Sequence, residues 1–261
     1  MRDAVIATAG AAVQPAFGGW LRARRRSAGD DFAEEPLLTA RERAALQHGS
    51  WFAALPLLAR HDLLRRCSVR RYPRGGTVHM DGAGCTRLDA VASGAVAIAM
   101  RETPLDAVHY LPAGSWLVDP AMFTGGERRH SVVALPRTTI VSVRAPELAD
   151  AMAAHPGLEL ALLRMSHERV AEQAEILDEL SALDLRTRIA RCLRRLCVRF
   201  GEAEPRGTRI ALELKQDALA VLVRASRARV NLHLKAMERA GVVLVERQIV
   251  VRDLALLAEF C

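Results

Sequence analysis

Cationic side chains at helical spacing near the carboxyl terminus give this chain its clearest chemistry. Arg227, Arg229 and Lys235 lie close together in sequence, and Lys215 shortly precedes them. Guanidinium and ammonium groups neutralise phosphates, and a planar guanidinium also matches the two acceptors on the major-groove edge of guanine. The helical period places one set of residues on an outward face, namely Arg227, Ala228, Arg229, Leu232 and Lys235. This pattern predicts a surface that binds duplex nucleic acid.

Two short helices and a tight turn must position those side chains. Apolar residues recur at three- and four-residue spacing in both segments and would bury one stripe of each helix. They are Leu219 and Leu222 in a helix predicted over residues 215–223, and Val230, Leu234 and Met237 in the second helix. Ser226 can cap the second helix through its hydroxyl, and Gly241 ends it. Residues 242–251 are typical of two short strands around a polar turn, so the sequence predicts a winged helix-turn-helix.

The distribution of charge favours the nucleic-acid interpretation. The chain has 261 residues and a formal net charge of +7. Residues 183–261 hold 16 basic and 9 acidic side chains, whereas residues 1–182 hold 21 of each. The whole excess therefore lies in the segment that contains the predicted helix-turn-helix. The alternative is an ordinary helical subdomain with a solvated basic face.

Several other classes of protein are disfavoured. No run of eighteen apolar residues is present, so we expect no transmembrane helix. The five cysteines are scattered without a Cys-x-x-Cys pair, which predicts reduced thiols, a cytoplasmic protein and no metal site. The glycine-rich pieces lack the glycine-lysine signature of a phosphate loop, and His-x-x-x-His spacing is absent. We therefore expect no enzymatic activity.

A β-roll and then a long helix are predicted before the basic segment. Between residues 62 and 144, short β-favouring runs alternate with Gly and Pro turns, and residues 90–100 and 131–143 supply strands. After Gly157 neither glycine nor proline interrupts the chain as far as Ala182, and Leu163, Val170 and Leu177 recur every seven residues. This spacing predicts the seam of a homodimer, and a core contact within one chain is the alternative.

The order of these parts resembles the CRP/FNR family of bacterial transcription regulators over residues 51–260. The motifs that carry the likeness are Tyr72-Pro73-Arg74-Gly75, Ser93-Gly94-Ala95-Val96, Asp184 with Arg188-Ile189-Ala190, and Ser226-Arg227 with Leu234-Lys235 and Gly241. We therefore expect an α+β fold with a flexible extension over residues 1–44, which we do not interpret as a signal peptide. A jelly-roll-like, cyclic-nucleotide-binding-like β-roll follows over 45–156, then a dimerisation helix over 157–182 and a winged helix-turn-helix domain over 183–261. The resemblance implies double-stranded DNA and RNA polymerase as partners.

The resemblance also implies an effector pocket in the roll. The family's cyclic-nucleotide site uses a Gly-Glu pair and an Arg-Ser or Arg-Thr pair, and the corresponding positions here are Val118-Asp119 and Arg129-His130. Gln173 stands where the family has a base-contacting hydroxyl. Asp119 can still reach a ribose hydroxyl and Arg129 a phosphate, but Val118 loses the close backbone approach of glycine. We expect an unidentified effector or none, and a cyclic nucleotide is disfavoured.

Cysteine and histidine positions bear on the other sensing chemistries that the resemblance implies. No cysteine precedes Cys67, which excludes an amino-terminal iron–sulfur cluster. Haem ligation by His79 or Cys85, and a thiol sensor at Cys67 or Cys85, are alternatives to purely structural roles for these residues.

Alignment with the family's recognition helix assigns a base contact to Arg227 and phosphate contacts to Arg229, Lys235 and Lys215. This chain departs from the family at three nearby positions, which are Arg224 at the turn glycine, Leu232 at a base-reading arginine and Ala228 at a frequently polar position. Arg224 puts a tight left-handed turn in doubt, and Leu232 could touch a thymine methyl group. A two-fold symmetric operator that differs from the family's common inverted repeat is expected.

The leading hypothesis is a homodimeric, sequence-specific transcription regulator. One alternative is a cyclic-nucleotide receptor or scaffold whose basic carboxyl terminus docks a protein or an acidic surface. A third interpretation keeps the fold but has lost specific DNA recognition.

Overall fold

The computed structural model describes residues 38–99, 107–119 and 121–260. An amino-terminal β domain, a long helix and a carboxy-terminal helix-turn-helix region follow one another, which confirms the predicted α+β fold. Residues 1–37, where most of the flexible extension was predicted, lie outside the described residues.

We number the described helices α1 to α10 and the described strands β1 to β12 in chain order. The helices are α1 Ala40–His48, α2 Ser50–Ala54, α3 Leu57–Arg65, α4 Ala121–Thr124, α5 Ala145–Ala154, α6 Leu158–Ala182, α7 Leu185–Phe200, α8 Gln216–Leu222, α9 Arg227–Arg239 and α10 Leu254–Ala258. The strands are β1 Ser68–Tyr72, β2 Thr77–His79, β3 Arg87–Ser93, β4 Ala95–Ala99, β5 Ala107–Pro112, β6 Trp116–Leu117, β7 Ser131–Ala134, β8 Thr138–Arg144, β9 Gly201–Glu204, β10 Gly207–Ile210, β11 Val243–Val245 and β12 Ile249–Val251.

Helix α1 begins inside the segment that was predicted to be a flexible extension. The Thr39 hydroxyl accepts a hydrogen bond from the Glu42 backbone N–H at 3.2 Å, and the Glu42 carboxylate accepts one from the Thr39 N–H at 2.8 Å. This reciprocal capping box fixes the first turn of the helix. Residues 40–44 are therefore helical, and the Thr-x-x-Glu pattern was the sequence signal that could have shown it.

The roll consists of two antiparallel four-stranded sheets with the strand orders β1-β8-β3-β6 and β2-β7-β4-β5. Each apolar stretch that was predicted to form strands contains a turn. Gly94 separates β3 from β4 with φ +71, and a Cβ there would lie 2.6 Å from the Arg137 carbonyl oxygen. Only glycine fits this close approach, so the two strands can meet at a tight turn.

Three aromatic side chains pack together in the core of the roll. Phe52 stacks on Trp116 with ring centroids 5.1 Å apart, and Trp51 meets the Trp116 ring edge-on at 5.2 Å. Leu158 and Leu162, in the first turns of α6, are buried in the same core. The long helix is thus anchored to the roll by its amino-terminal end.

The carboxy-terminal domain contains α7 to α10 and a sheet of strand order β11-β12-β10-β9. Only Leu183 and Asp184 separate α6 from α7, and the Asp184 carboxylate accepts a hydrogen bond from the Thr187 N–H at 2.8 Å to cap α7. The β9–β10 hairpin was not predicted, because its short polar sequence lacks apolar alternation.

Polar contacts join the carboxy-terminal domain to the roll and to the long helix. Arg199 of α7 donates to His109 Nε2 of β5 at 2.7 Å and also pairs with Glu172 of α6. Burial, reinforced by Arg199 and two further arginines, lowers the pKa of His109 to about 3, so the ring is neutral and can accept this bond. Tyr110 of β5 lies in the same apolar cluster as Leu193 of α7. Apolar packing and ion pairing therefore act together at this contact.

Candidate nucleic-acid interface

Helices α8 and α9 pack through the apolar stripe that the sequence predicted. Leu219 of α8 shares a buried cluster with Val230, Leu234 and Met237 of α9, and Leu222 is partly buried against it. Ser226 caps α9, since its hydroxyl accepts from the Arg229 N–H at 3.4 Å. The inward stripe fixes which side of α9 faces solvent.

The outward side of α9 carries the residues that were predicted to contact DNA. Ser226 and the five outward residues from Arg227 to Lys235 are exposed, as is Lys215 at the N-cap of α8. Within the described residues, neither Arg229 nor Lys235 makes a side-chain hydrogen bond or ion pair. A helix with free cations on its exposed face is suited to enter a major groove.

Arg227 has one weak intramolecular partner. Its Nη1 lies 3.5 Å from Asp217 Oδ2 of α8, and both side chains are more than half exposed. An exposed ion pair of this length is screened by water and contributes little free energy. Arg227 can therefore leave Asp217 for a base edge.

The turn between α8 and α9 is left-handed although it lacks glycine. Arg224 has φ 51, and its N–H donates to the Val221 carbonyl at 3.1 Å. The sequence had put a tight left-handed turn in doubt because Arg224 replaces glycine. Arg224 nevertheless adopts the left-handed conformation, so the turn forms and α9 keeps the orientation that the helix-turn-helix requires.

The wing formed by β11 and β12 presents paired rather than free charges. Arg206 of the β9–β10 turn pairs with Glu246 at 2.7 Å, and this cation lowers the pKa of the Glu246 carboxyl. Arg247 at the wing tip lies 2.9 Å from Glu213, whose other oxygen lies 3.6 Å from Arg74 of the roll. The free cations are thus concentrated on α9 rather than on the wing.

The roll contains a small cavity at the position predicted for an effector. Val118, Asp119, His130 and Gln173 line it together with Arg128, and its volume is about 80 Å³. Sites for small molecules typically have roughly 300–1,000 Å³. The four residues lie together as expected, but the space between them is too small for a nucleotide.

Arg129 does not line this cavity, contrary to its assignment as the phosphate-pairing arginine. Its side chain is exposed, whereas the Arg128 side chain is 4% exposed. Arg128 Nη1 lies 3.7 Å from Asp119 Oδ2, and its Nη2 donates to the Arg87 carbonyl at 3.2 Å. The course of the loop decides which of the two neighbouring arginines lies inside, and sequence spacing could not determine it.

A buried charge cluster lies beside the cavity. His79 Nε2 is 3.0 Å from Asp89 Oδ2, Arg87 Nε donates to Asp89 Oδ1 at 3.1 Å, and the Ser142 hydroxyl also donates to this carboxylate. Burial alone would raise the pKa of Asp89, but the contacts with His79, Arg87 and the Ser142 hydroxyl lower it to about 2. His79 is therefore held by a carboxylate in the interior rather than free to ligate a haem.

The seam predicted on the long helix is exposed over its carboxy-terminal part. Leu163 is half-buried, while Val170 is 49% and Leu177 is 64% exposed. Such apolar side chains along one helix are typical of a surface that a partner covers.

The cysteine side chains in the described residues are poor candidates for a thiol sensor. Burial raises the pKa values of Cys67, Cys85 and Cys192 to about 12 and that of Cys197 to about 11. No three His, Cys, Asp or Glu side chains in these same residues are grouped so that they could bind a metal ion. Over the described ranges, no helix is long and apolar enough to cross a membrane.

Comparison with known sequences identifies similar regulators. Residues 187–260 match the Crp-like helix-turn-helix domain. The chain is 29% identical over 177 residues to a CRP-like cAMP-activated global transcriptional regulator of Mycobacterium tuberculosis, covering 67% of this chain and 79% of that protein. It is 25% identical over 122 residues to a global nitrogen regulator of Synechocystis, covering 47% of this chain and 54% of that protein.

Two solved structures illustrate the likeness in fold. The c-di-GMP responsive global regulator CLP of Xanthomonas campestris has a TM-score of 0.62 at 22% identity, covering 76% of this chain and 100% of that chain. FixK2 from Bradyrhizobium japonicum has a TM-score of 0.64 at 16% identity, covering 74% of this chain and 96% of that chain.

Proposed function

We propose that this chain, which belongs to the CRP/FNR family of transcription regulators, binds a specific duplex sequence as a homodimer through the outward face of α9. One observation carries the proposal: α9 is held by its buried stripe while Arg227, Arg229 and Lys235 face solvent. A basic helix that served only folding would not need free cations on its exposed face.

The side chains of α9 divide into two roles. Arg227 would bond guanine O6 and N7, and Leu232, which is 64% exposed, would touch a thymine methyl group. Arg229, Lys235 and Lys215 would bind phosphates and set the register on the duplex. Ala228 leaves one position of the site without a hydrogen-bonded contact.

The homodimer would form along the exposed seam of α6, with Leu163, Val170 and Leu177 facing their copies in a second chain. A two-fold axis through this seam would place two recognition helices on successive turns of the same DNA face. The selected DNA site would then be an inverted repeat.

We propose that the roll does not bind a cyclic nucleotide. The relative from Mycobacterium tuberculosis is described as cAMP-activated, but here Arg128 is held by Asp119 beside a cavity of about 80 Å³. Val118 also prevents the close backbone approach that glycine would permit. Any regulatory ligand of this chain is therefore chemically different or binds elsewhere.

The proposed role requires the protein to act where the genome is, in the cytoplasm, and to meet RNA polymerase there. We assign it no catalytic reaction. RNA polymerase as a partner follows from the family rather than from a particular surface of this chain.

DNA binding over a series of salt concentrations tests the proposal. We expect affinity for duplex DNA to fall steeply with salt, because bound phosphates release counterions. Selection from a random pool should enrich an inverted repeat with half-sites about one helical turn apart, and added cAMP should leave both affinity and the thermal midpoint unchanged. If binding to duplex DNA does not depend on salt concentration, the alternative of a scaffold that docks a protein is favoured. If the chain binds DNA but selection enriches no sequence, specific recognition has been lost.

A further inference from the structure

The turn before the recognition helix contains an arginine in a backbone conformation that favours glycine. Arg224 has φ 51 and ends α8 with two hydrogen bonds, from its own N–H to the Val221 carbonyl at 3.1 Å and from the Ala225 N–H to the Ala220 carbonyl at 2.9 Å. This pair of bonds defines a Schellman motif, whose left-handed position is usually glycine. A side chain with a Cβ makes that conformation energetically unfavourable.

The same domain builds the same motif with glycine at the end of α9. Gly241 has φ 74, its N–H donates to the Glu238 carbonyl at 3.0 Å, and the Val242 N–H donates to the Met237 carbonyl at 2.9 Å. The hydrogen bonding of the two helix ends is therefore equivalent. The two turns therefore differ in the side chain that Arg224 adds at the left-handed position.

The Arg224 side chain is available to a partner outside the domain. It is exposed, and within the described residues its guanidinium makes neither a hydrogen bond nor an ion pair. It lies two positions before the Ser226 cap and three before Arg227, so the turn extends the positive surface of α9. A guanidinium matches the geometry of a phosphate group and binds it with two parallel hydrogen bonds.

We propose that Arg224 binds a phosphate of the DNA backbone beside the groove that α9 enters. This inference rests on the proposed function and adds a contact at the position of the family's turn glycine. The unfavourable turn then has a consequence: the domain is less stable than a glycine variant would be, but it neutralises one more phosphate.

The variant R224G separates the two effects. Folding should become more favourable, so the denaturation midpoint should rise. DNA affinity of the proposed dimer should fall about 60-fold near 0.1 M salt, because two symmetry-related phosphate contacts are lost. The slope of the logarithm of affinity against the logarithm of salt concentration should become shallower by about 1.8, which is about 0.9 for the phosphate contact of each protomer. The variant R224K should keep the wild-type slope, since the ammonium also neutralises a phosphate.

Arg137 provides a matched control in the roll. It is exposed, has φ 61 and makes no side-chain hydrogen bond or ion pair with the described residues. The variant R137G should therefore raise the denaturation midpoint in the same way but leave DNA affinity and the salt slope unchanged.

The outcomes distinguish this inference from the proposed function. If R224G keeps the wild-type affinity and slope while the wild type binds DNA with a steep salt dependence, the phosphate contact is wrong and the proposed function stands. If the wild type itself shows no salt-dependent DNA binding, the proposed function fails and this inference fails with it.

Discussion

The roll and the recognition helix use charged residues in opposite ways. In the roll, Asp89 and Arg128 are buried. Arg87 pairs with Asp89, Arg128 pairs with Asp119, and the cavity beside them is small. On α9, Arg229 and Lys235 face water without a side-chain partner in the described residues. The difference indicates that the charges of the roll maintain its structure, while those of α9 are available for a ligand. Removing a charge should therefore affect folding in the first region and binding in the second.

The largest effect is expected at Asp89. The variant D89A leaves the buried His79 and the partly buried Arg87 without their carboxylate, and it should lower the free energy of unfolding by about 3–5 kcal/mol, as measured by denaturant titration. The variant E246A removes an exposed carboxylate paired with Arg206 and should change stability far less. Equal losses of stability in both variants would contradict the distinction between buried charges that maintain the fold and exposed charges that do not.

Arg227 should show the opposite behaviour. The variant R227A should weaken binding to the selected site by about 1 to 3 kcal/mol and relax the preference at one base pair, with little change in folding stability. The variant K215A should weaken binding to all sequences evenly, because a phosphate contact carries no sequence information. If R227A keeps the full sequence preference in a binding assay, its role as a base contact is wrong.

The smallest effect near neutral pH concerns the contact between the roll and α7 of the carboxy-terminal domain. The pKa of His109 is lowered to about 3 in the folded chain. In the unfolded chain a histidine binds a proton near pH 6.5, so between these two pH values only the unfolded chain is protonated at this position. Stability should therefore fall as the pH decreases from about 6.5 towards 3, by about 1 kcal/mol over the first unit and by about 1.4 kcal/mol per unit below that. The variant H109Q should flatten this dependence in denaturation curves between pH 7 and about pH 5. The exposed His61 gives the control H61Q, which should retain the wild-type slope.

Local signals explain how much of this molecule the sequence could predict. The Ser226 cap, the stripe of Leu219, Val230 and Leu234, and the uninterrupted run of α6 depend on neighbouring residues, and the structure contains all three features. The β9–β10 hairpin has no such apolar pattern, and helix α1 was missed although Thr39 and Glu42 signal it.

The predicted pocket shows where sequence reasoning reached its limit. Its residues were located within one position, but choosing Arg128 rather than Arg129 requires the three-dimensional course of the loop. The volume of a cavity likewise depends on packing between distant segments and cannot be derived from motif spacing. Whether Arg227 reads a base is a property of a complex, so it stays a prediction.

The short connection between α6 and α7 limits how the DNA-binding domains can move. Only Leu183 and Asp184 lie between these helices, and Glu179 reaches across them to Arg191 at 3.3 Å and Arg195 at 2.6 Å. In the proposed dimer, only the few backbone torsion angles of this connection can change the distance between the two DNA-binding domains or their relative rotation. A single amino acid inserted between α6 and α7 would therefore change the half-site spacing that the protein accepts, without altering any side chain that touches a base.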